Sequence, residues 1–549
     1  MAKFLEKLKR HPAEALTAAF FLLLVLLGAV NVVQRGPDYD ELWTLEHFVP
    51  QSVTRILTDV ATPNNHVWNT LGIKLVFQAT GFSLAAARLP ALTGYFLLGI
   101  LVFYAAFRLL RSVPARVLFP AAVLCDGYLR YYAETARGYS WQCACVLGMV
   151  LALTHLADHP QSRRAAGAWL LCATVGSLAV SSGVLYAFAL TSAWVLLAKP
   201  LTGTSAERFR RFRTLFAAGA VYTLFVLLWY GLQFQKFAKG RAEFGTALDH
   251  AAAIAGFFRA ALWETDLVWY LPVVLAGVVF CRKTPAGKFA LWLAASFAIM
   301  LAAGFAAHGG PARVYLGWIA PMALAAAMTV DEPLSRHALP KAAERLLPVL
   351  IVLAAALYSQ HRKNLITPPD FAQLFGEIQR SVPTSTLILW PAGDTYILHK
   401  LFPEEAPRDH ADRLRNFQQV MVLHGPRITM IAQDTFATVE TDSGARPLHS
   451  GTFSARTTYH IYPVRELRDD DDLTGRLVLC RAAGRPAALR PGGMLRGRFA
   501  VLNSCIAAPP SGYPPLVLLG AYSPDLSAAE LRRIEKDSQN LILFRLLGE

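Results

Sequence analysis

Apolar runs of about 20 residues recur through the first two-thirds of the chain, and short clusters of basic residues separate them. Windows 15–33, 84–107 and 289–307 are each long enough to cross ~30 Å of hydrocarbon as a helix. A chain built this way belongs in a bilayer, because in water so many uninterrupted apolar windows would leave much of that surface unburied. Composition agrees: 54% of residues are apolar and 17% charged, against roughly 45–50% and about 25% in ordinary soluble proteins. No small-residue cleavage site follows the first window, so it is expected to remain as an anchor rather than leave as a signal peptide.

In a soluble protein a formal net charge of +15 would point to nucleic acid. Here the cations sit in the gaps: Lys3, Lys7, Lys9 and Arg10; Arg108, Arg111 and Arg116; Arg163 and Arg164; and clusters within 199–213, 282–288 and 336–345. All of them fall on the cytoplasmic side together if the amino terminus is inside, which is the positive-inside pattern. No nucleic-acid partner is expected. Walking the chain under that constraint gives a polytopic α-helical membrane protein with about 11 transmembrane helices, in the range of about 10–13. The membrane domain is expected over 1–360, with an outer-face loop at 34–83 in which 67–79, too short to span, lies along the surface as a helix.

From about 361 the pattern changes to short apolar runs separated by Pro, Gly and Asp, which predicts an extracytoplasmic α/β or α+β domain over 361–549. Strands are expected at 386–390, 419–423, 429–431, 476–480 and 516–519, and helices at 371–380 and 527–538. The second helix opens on a capping box, Ser527 with Glu530. A stiff Thr367-Pro368-Pro369 linker separates the two parts. The seven cysteines carry no Cys-x-x-Cys and no zinc spacing; Cys480 and Cys505 are the pair that an oxidising compartment would join. No Gly-rich phosphate loop is present to support ATP-driven transport.

Asp40 and Glu41 follow the first window directly, with Asp38 before them and Trp43 and His47 after. Carboxylates at a membrane rim are costly unless partnered, so they are either a solvated turn after Pro37 or the start of a site. Further along the same outer face come Thr62-Pro63-Asn64-Asn65-His66, then Ala87-Arg88-Leu89-Pro90. After these come the run from Tyr132 through Glu134 and Arg137 to Ser140, and Arg313-Val314-Tyr315 before Pro321.

That order of motifs resembles the bacterial GT-C glycosyltransferases, and more closely the family 39 and aminoarabinose-transferase-like group that uses polyprenyl-phosphate-linked sugars. The resemblance covers residues 15–330. It departs at Asn65-His66-Val67, where the group carries His-Pro-Pro. It implies a GT-C-like fold in the bacterial cytoplasmic membrane, a polyprenyl-phosphate sugar donor among the membrane lipids, and an envelope glycan, lipid or protein as acceptor.

The chemistry of such a transfer needs a base for the acceptor and cations for the departing phosphate, which leaves without a general acid. Asp40 is the candidate base. Glu41 is a second carboxylate that holds the acceptor, orients a basic residue or joins Asp40 in binding a divalent cation. Arg137 and Arg313 are candidates for the lipid phosphate, since a guanidinium presents a planar fork to its oxygens; snorkelling to the interface is the ordinary alternative. Arg88 is a weaker candidate, because Leu89 and Pro90 point to packing at a helix start. Glu134 stands three residues before Arg137, the spacing of a helix-surface ion pair. His66 either contacts the donor phosphate, moves a proton, or is held structurally by Asn64 or Asn65. Tyr315 accompanies Arg313 on the lipid side, in an aromatic belt where most rings are interface anchors. A transporter or flippase for a lipid-linked sugar, and an inactive accessory protein of the same fold, are the competing readings.

Overall fold

The computed structural model describes residues 12–36, 39–59, 65–197, 212–231, 256–306, 312–337 and 340–366, together with eleven strands between 386 and 545. The chain divides into two units, Met1–Gln34 with Trp43–Ile366, and Arg35–Leu42 with Thr367–Glu549.

The first unit is helical. In chain order its helices are α1 (Pro12–Gln34), α2 (Tyr39–His47), α3 (Val53–Thr58), α4 (Val67–Thr80), α5 (Leu84–Leu109) and α6 (Val113–Leu124). There follow α7 (Gly127–Ala133), α8 (Tyr139–Asp158), α9 (Arg163–Ala179), α10 (Gly183–Leu197), α11 (Arg213–Trp229), α12 (Leu267–Phe280), α13 (Pro285–Ala306), α14 (Ile319–Arg336) and α15 (Lys341–Ile366). The first residues of α2, through Leu42, are grouped with the second unit. Among the described residues, five helical segments are long and apolar enough to cross a membrane, and a sixth arises if Gly256–Glu264 and Leu267–Phe280, bent by 80°, count as one span. α1 exposes Leu22, Leu23, Leu26 and Val33 along its length. Such a face is stable against lipid and costly in water, which makes the chain an integral membrane protein.

Local chemistry fixes the helix ends. Ser83, Asp126 and Ser162 accept hydrogen bonds from the backbone amides of Ala86, Leu129 and Ala165, starting α5, α7 and α9. Asp331 of α14 reaches across to cap α6, accepting from the amides of Arg111 and Ser112 at 2.9 and 2.7 Å. α8 is deeply buried and packs against α5, α9 and α10, with an apolar core running from Tyr95 through Leu147 and Leu190 to Trp318. A short turn joins α9, which ends at Ala179, to α10, which begins at Gly183.

At the break before α12, Asp266 has a left-handed backbone, φ 60°, a conformation Asp tolerates better than most side chains. Its carboxylate is held by the Tyr358 hydroxyl at 2.9 Å and Arg362 Nε at 3.0 Å, both from α15.

In the second unit, strands β1 (Thr386–Pro391), β2 (Gln419–His424), β4 (His449–Thr452), β5 (Thr458–Pro463) and β11 (Leu541–Arg545) form one mixed sheet in the order β11-β1-β2-β5-β4, with β1 and β2 parallel. A second sheet runs β3-β7-β10-β9-β8, from β3 (Val439–Glu440), β7 (Leu477–Arg481), β10 (Leu516–Ala521), β9 (Phe499–Asn503) and β8 (Met494–Leu495). The short β6 (Arg465–Glu466) pairs with β7. Four expected strands coincide with β1, β2, β7 and β10. The strand expected at 429–431, the helices at 371–380 and 527–538, the Pro-rich linker, Cys505, Asp38 and Asn64 lie outside the described residues.

Candidate functional site

The first turn of α4 meets the first turn of α8. Gly138, which precedes α8, donates its amide hydrogen to His66 Nδ1 at 3.1 Å, and the His66 ring stands edge-on to Tyr139 with centroids 4.9 Å apart. Two residues further on from each, Trp68 and Trp141 pack edge to face at 5.7 Å. Only glycine permits the approach at 138: a Cβ there would lie 2.3 Å from the Ala179 carbonyl oxygen and 2.9 Å from His66 Nδ1.

His66 is 1% exposed. Its pKa is pushed well below the usual 6.5, first by burial, then by the charges of Arg137 and Arg313, with the Ala179 carbonyl pulling weakly the other way. Two consequences follow. The imidazole is neutral at physiological pH, and because Nδ1 accepts from Gly138, the ring proton is assigned to Nε2. His66 Nε2 is therefore a hydrogen-bond donor with no protein partner among the described residues, rather than a proton acceptor. The alternative tie to Asn65 does not form: the Asn65 amide donates to the carbonyls of Ile56 and Asp59 and accepts from Thr70.

Both guanidiniums act on one buried ring, so Arg137 and Arg313 share its surroundings although they are far apart in sequence. Arg137 is 2% exposed, lies in the tight turn after α7, where its amide donates to the Thr135 carbonyl at 2.7 Å, and has its guanidinium 5.8 Å from the Tyr139 ring. Arg313 and Tyr315 sit in the 3₁₀ helix Ala312–Trp318, which Tyr186 anchors through a 2.8 Å hydrogen bond to the Val314 carbonyl. Tyr315 is buried, with Phe257 packed edge-on at 6.0 Å.

Glu134 does not pair with Arg137 as its spacing predicts. α7 ends at Ala133, so residues 134–138 form a turn in which the i, i+3 helical geometry is absent. Glu134 instead takes Lys363 of α15 at 2.6 Å and the Asn31 amide of α1 at 3.0 Å. Sequence reasoning missed Lys363. Its signal was a pair of cations, Arg362-Lys363, closing an apolar helix, and the partner lies 229 residues away. Arg88 is fully buried and donates to the Val32 carbonyl at 3.0 Å. It thereby satisfies one of the last carbonyls of α1, a packing role consistent with its place at the start of α5.

Asp40 and Glu41 lie in the first turn of α2, at the positive end of its dipole; Glu41 is fully buried and Asp40 half-buried. Later in the same helix Trp43 and His47 stack at 3.9 Å, and His47 Nδ1 lies 3.2 Å from the Trp43 carbonyl oxygen. Among the described residues no cluster of three or more His, Cys, Asp or Glu is grouped for a metal ion.

No family profile and no curated protein matches the sequence. Among solved structures the chain is similar to ArnT from Cupriavidus metallidurans in the apo state, at 12% identity over 81% of this chain and 97% of that one, with a TM-score of 0.42. It is similar also to the same protein bound to undecaprenyl phosphate, at 14% identity, the same coverage and a TM-score of 0.40. A third likeness is to the archaeal oligosaccharyltransferase AglB from Archaeoglobus fulgidus, in complex with an inhibitory peptide and a dolichol-phosphate. It has 10% identity over 71% of this chain and 60% of that one, with a TM-score of 0.36.

Proposed function

We propose that the protein is an inverting glycosyltransferase that moves a sugar from a polyprenyl-phosphate donor to an envelope glycan, lipid or protein acceptor on the outer face of the cytoplasmic membrane. One observation carries the reading: Arg137 and a neutral His66 whose Nε2 has no partner among the described residues are buried against Tyr139 at the junction of α4 and α8, and the charge of Arg313, from a separate element, bears on the same ring. A phosphate monoester accepts hydrogen bonds and carries negative charge, and this set offers donors and positive charge together.

The topology that goes with it has eleven passes: α1, α5, α6, α8 to α14 and α15, alternating from an inside amino terminus. The ends of α1, α7, α9 and α15, the starts of α5 and α8, and the 3₁₀ segment before α14 then share the outer side with His66, Arg137 and Arg313. α2 to α4 lie along that face, and the carboxy-terminal sheets belong to an extracytoplasmic domain that holds the acceptor.

In the reaction, Asp40 takes the proton from the acceptor hydroxyl as its oxygen attacks the anomeric carbon. The bond from that carbon to the phosphate oxygen breaks, and the polyprenyl phosphate departs with the electron pair into the field of Arg137 and Arg313, with His66 Nε2–H donating to one of its oxygens. A single in-line displacement inverts the anomeric centre. Glu41 orients the acceptor. Asp40 and Glu41 are also the residues that would hold a divalent cation, and transfer measured with and without a chelator decides whether one takes part.

The deciding experiment follows radiolabelled sugar from polyprenyl-phosphate donors to a panel of envelope acceptors, using the purified full chain. Asp40→Asn is expected to lower turnover at least 100-fold, and Arg137→Gln to raise the donor KM about tenfold or more. Equal transfer by wild type and Asp40→Asn removes Asp40 as the base. A flippase is the second reading, favoured by the 80° break before α12, since broken helices are a transporter device. It requires label to cross a sealed liposome unchanged, with no new glycosidic product.

A further inference from the structure

The junction that positions His66 also encloses polar atoms that the proposed chemistry does not use. Asn69, one turn along α4, is fully buried, and neither its amide nitrogen nor its carbonyl oxygen has a hydrogen-bond partner among the described residues. Ser140, in the first turn of α8, is equally buried, and its hydroxyl is likewise without a partner. The two turns are in direct contact through His66 with Gly138 and Tyr139, and through Trp68 with Trp141. On α4, Asn69 stands between His66, which touches Gly138, and Ile73, which packs in one cluster with Ala87 and Ala136. Asn69 thereby shares the face of α4 whose residues His66 and Ile73 meet the 134–138 turn that carries Arg137. Leaving such groups unbonded costs about 1–3 kcal/mol each, so a buried asparagine with both ends unused needs an explanation.

Phosphate does not supply one. Phosphate oxygens only accept, which suits cations and His66 Nε2–H, but the Asn69 carbonyl oxygen needs a donor. A hydroxyl group both donates and accepts, and so matches an amide that has an NH₂ and a C=O to fill, and a serine on the facing turn that can do either. We propose that Asn69 and Ser140 form a subsite for the hydroxyl groups of the donor's sugar, next to the phosphate held by Arg137 and Arg313. This rests on the polyprenyl-phosphate reading and adds to it the group that reads the sugar. Arg137 at 2% exposure and His66 at 1% are as enclosed as Asn69, so a donor head that reaches one set of atoms opens the junction for the other. A site built to bond a hydroxyl rejects a head that lacks it, because the buried amide is then left unpaired.

The test compares two probes on the purified full-length protein in detergent: undecaprenyl phosphate, and undecaprenyl-phosphate sugars of the hexose and pentose series. Wild type is expected to bind at least one sugar-bearing probe about tenfold or more tighter than undecaprenyl phosphate. Asn69→Leu, which fills the same space without polar atoms, is expected to abolish that difference, leave undecaprenyl phosphate binding within twofold, and melt no lower than wild type. Ser140→Ala reduces the difference in part, and Arg137→Gln weakens both probes together. An ordered water or a purely structural role for Asn69 predicts equal changes for both probes or none, and either result overturns the subsite. If wild type binds undecaprenyl phosphate with no gain from any sugar, the subsite falls and the phosphate reading stands. If it binds neither probe, the polyprenyl-phosphate reading falls and the subsite falls with it.

Discussion

At the scale of single residues, His66 and Asp126 place opposite proton demands on the fold. His66 is held below its ordinary 6.5 by burial and by Arg137 and Arg313. As pH falls below 6.5 the unfolded chain takes up a proton that the folded chain refuses, so this contribution is complete above 6.5 and is lost toward acid. Asp126, which caps α7, is raised from 3.8 to about 7, mainly by burial and then by Asp266, against the opposing help of the Leu129 amide and Arg362. Between those values the folded chain holds a proton that the unfolded chain has released, so this contribution is lost as pH rises from about 4 to 7. Melting curves from pH 4.5 to 8 should separate them: His66→Gln flattens the acid-side loss, and Asp126→Asn, which still caps a helix, removes the alkaline-side loss and raises the melting temperature at pH 8. Unchanged pH slopes in either variant would contradict the assignment for that residue. The motif containing His66 was legible in sequence, but its protonation state was not, because Gly138, Arg137 and Arg313 come from two later segments. Asn69 carried no signal at all: an asparagine between Trp68 and Thr70 looks like any polar position until its surroundings prove to be closed.

At the scale of elements, α15 is tied to α7, to the turn after it and to the break before α12 by polar contacts rather than by apolar packing alone. Arg130 donates to Ser359 at 2.8 Å, Arg362 binds Asp266 and the Glu264 carbonyl, and Lys363 binds Glu134, with side chains only 9% and 3% exposed. Gly127 lets the two elements close: a Cβ there would stand 2.7 Å from the Arg362 Cβ. Removing one partner of a buried pair strands the other charge and typically costs about 3–5 kcal/mol, whereas removing both costs far less. Lys363→Met should therefore lower the melting temperature sharply, and adding Glu134→Gln should recover most of the loss, since glutamine still accepts from Asn31. Additive losses in the double variant would mean the two groups are not coupled. The membrane domain expected over 1–360 takes in most of α15 but not its anchor, because an ion pair spanning 229 residues leaves no local pattern. Element lengths were harder to read for the same reason: α6 has 12 residues, about 18 Å, which is less than a bilayer core requires alone, so the pass proposed for it rests on its neighbours and on the basic residues at its start.

At the scale of the whole molecule, the proposed topology follows from the charge clusters and the apolar windows, with alternation deciding which ends share a side. Positive-inside reasoning places 337–340 in the cytoplasm and the carboxy terminus outside, separated by α15 alone. That one crossing carries much of the functional reading, because it puts Lys363, and through it Glu134 and the turn with Arg137, at the outer surface. Reporter fusions can test it: a fluorescent protein that folds only in the cytoplasm should light up when inserted at 338, while a phosphatase active only after export should work when fused after residue 549. If both sites report the same side, α15 does not cross. The cationic region around His66 would then need an odd number of passes elsewhere to face an extracytoplasmic acceptor. If they report opposite sides but in reverse, with 338 exported, the His66 region faces the cytoplasm, where a sugar donor would be met on the other leaflet and the proposed reaction would have to be assigned to that face instead.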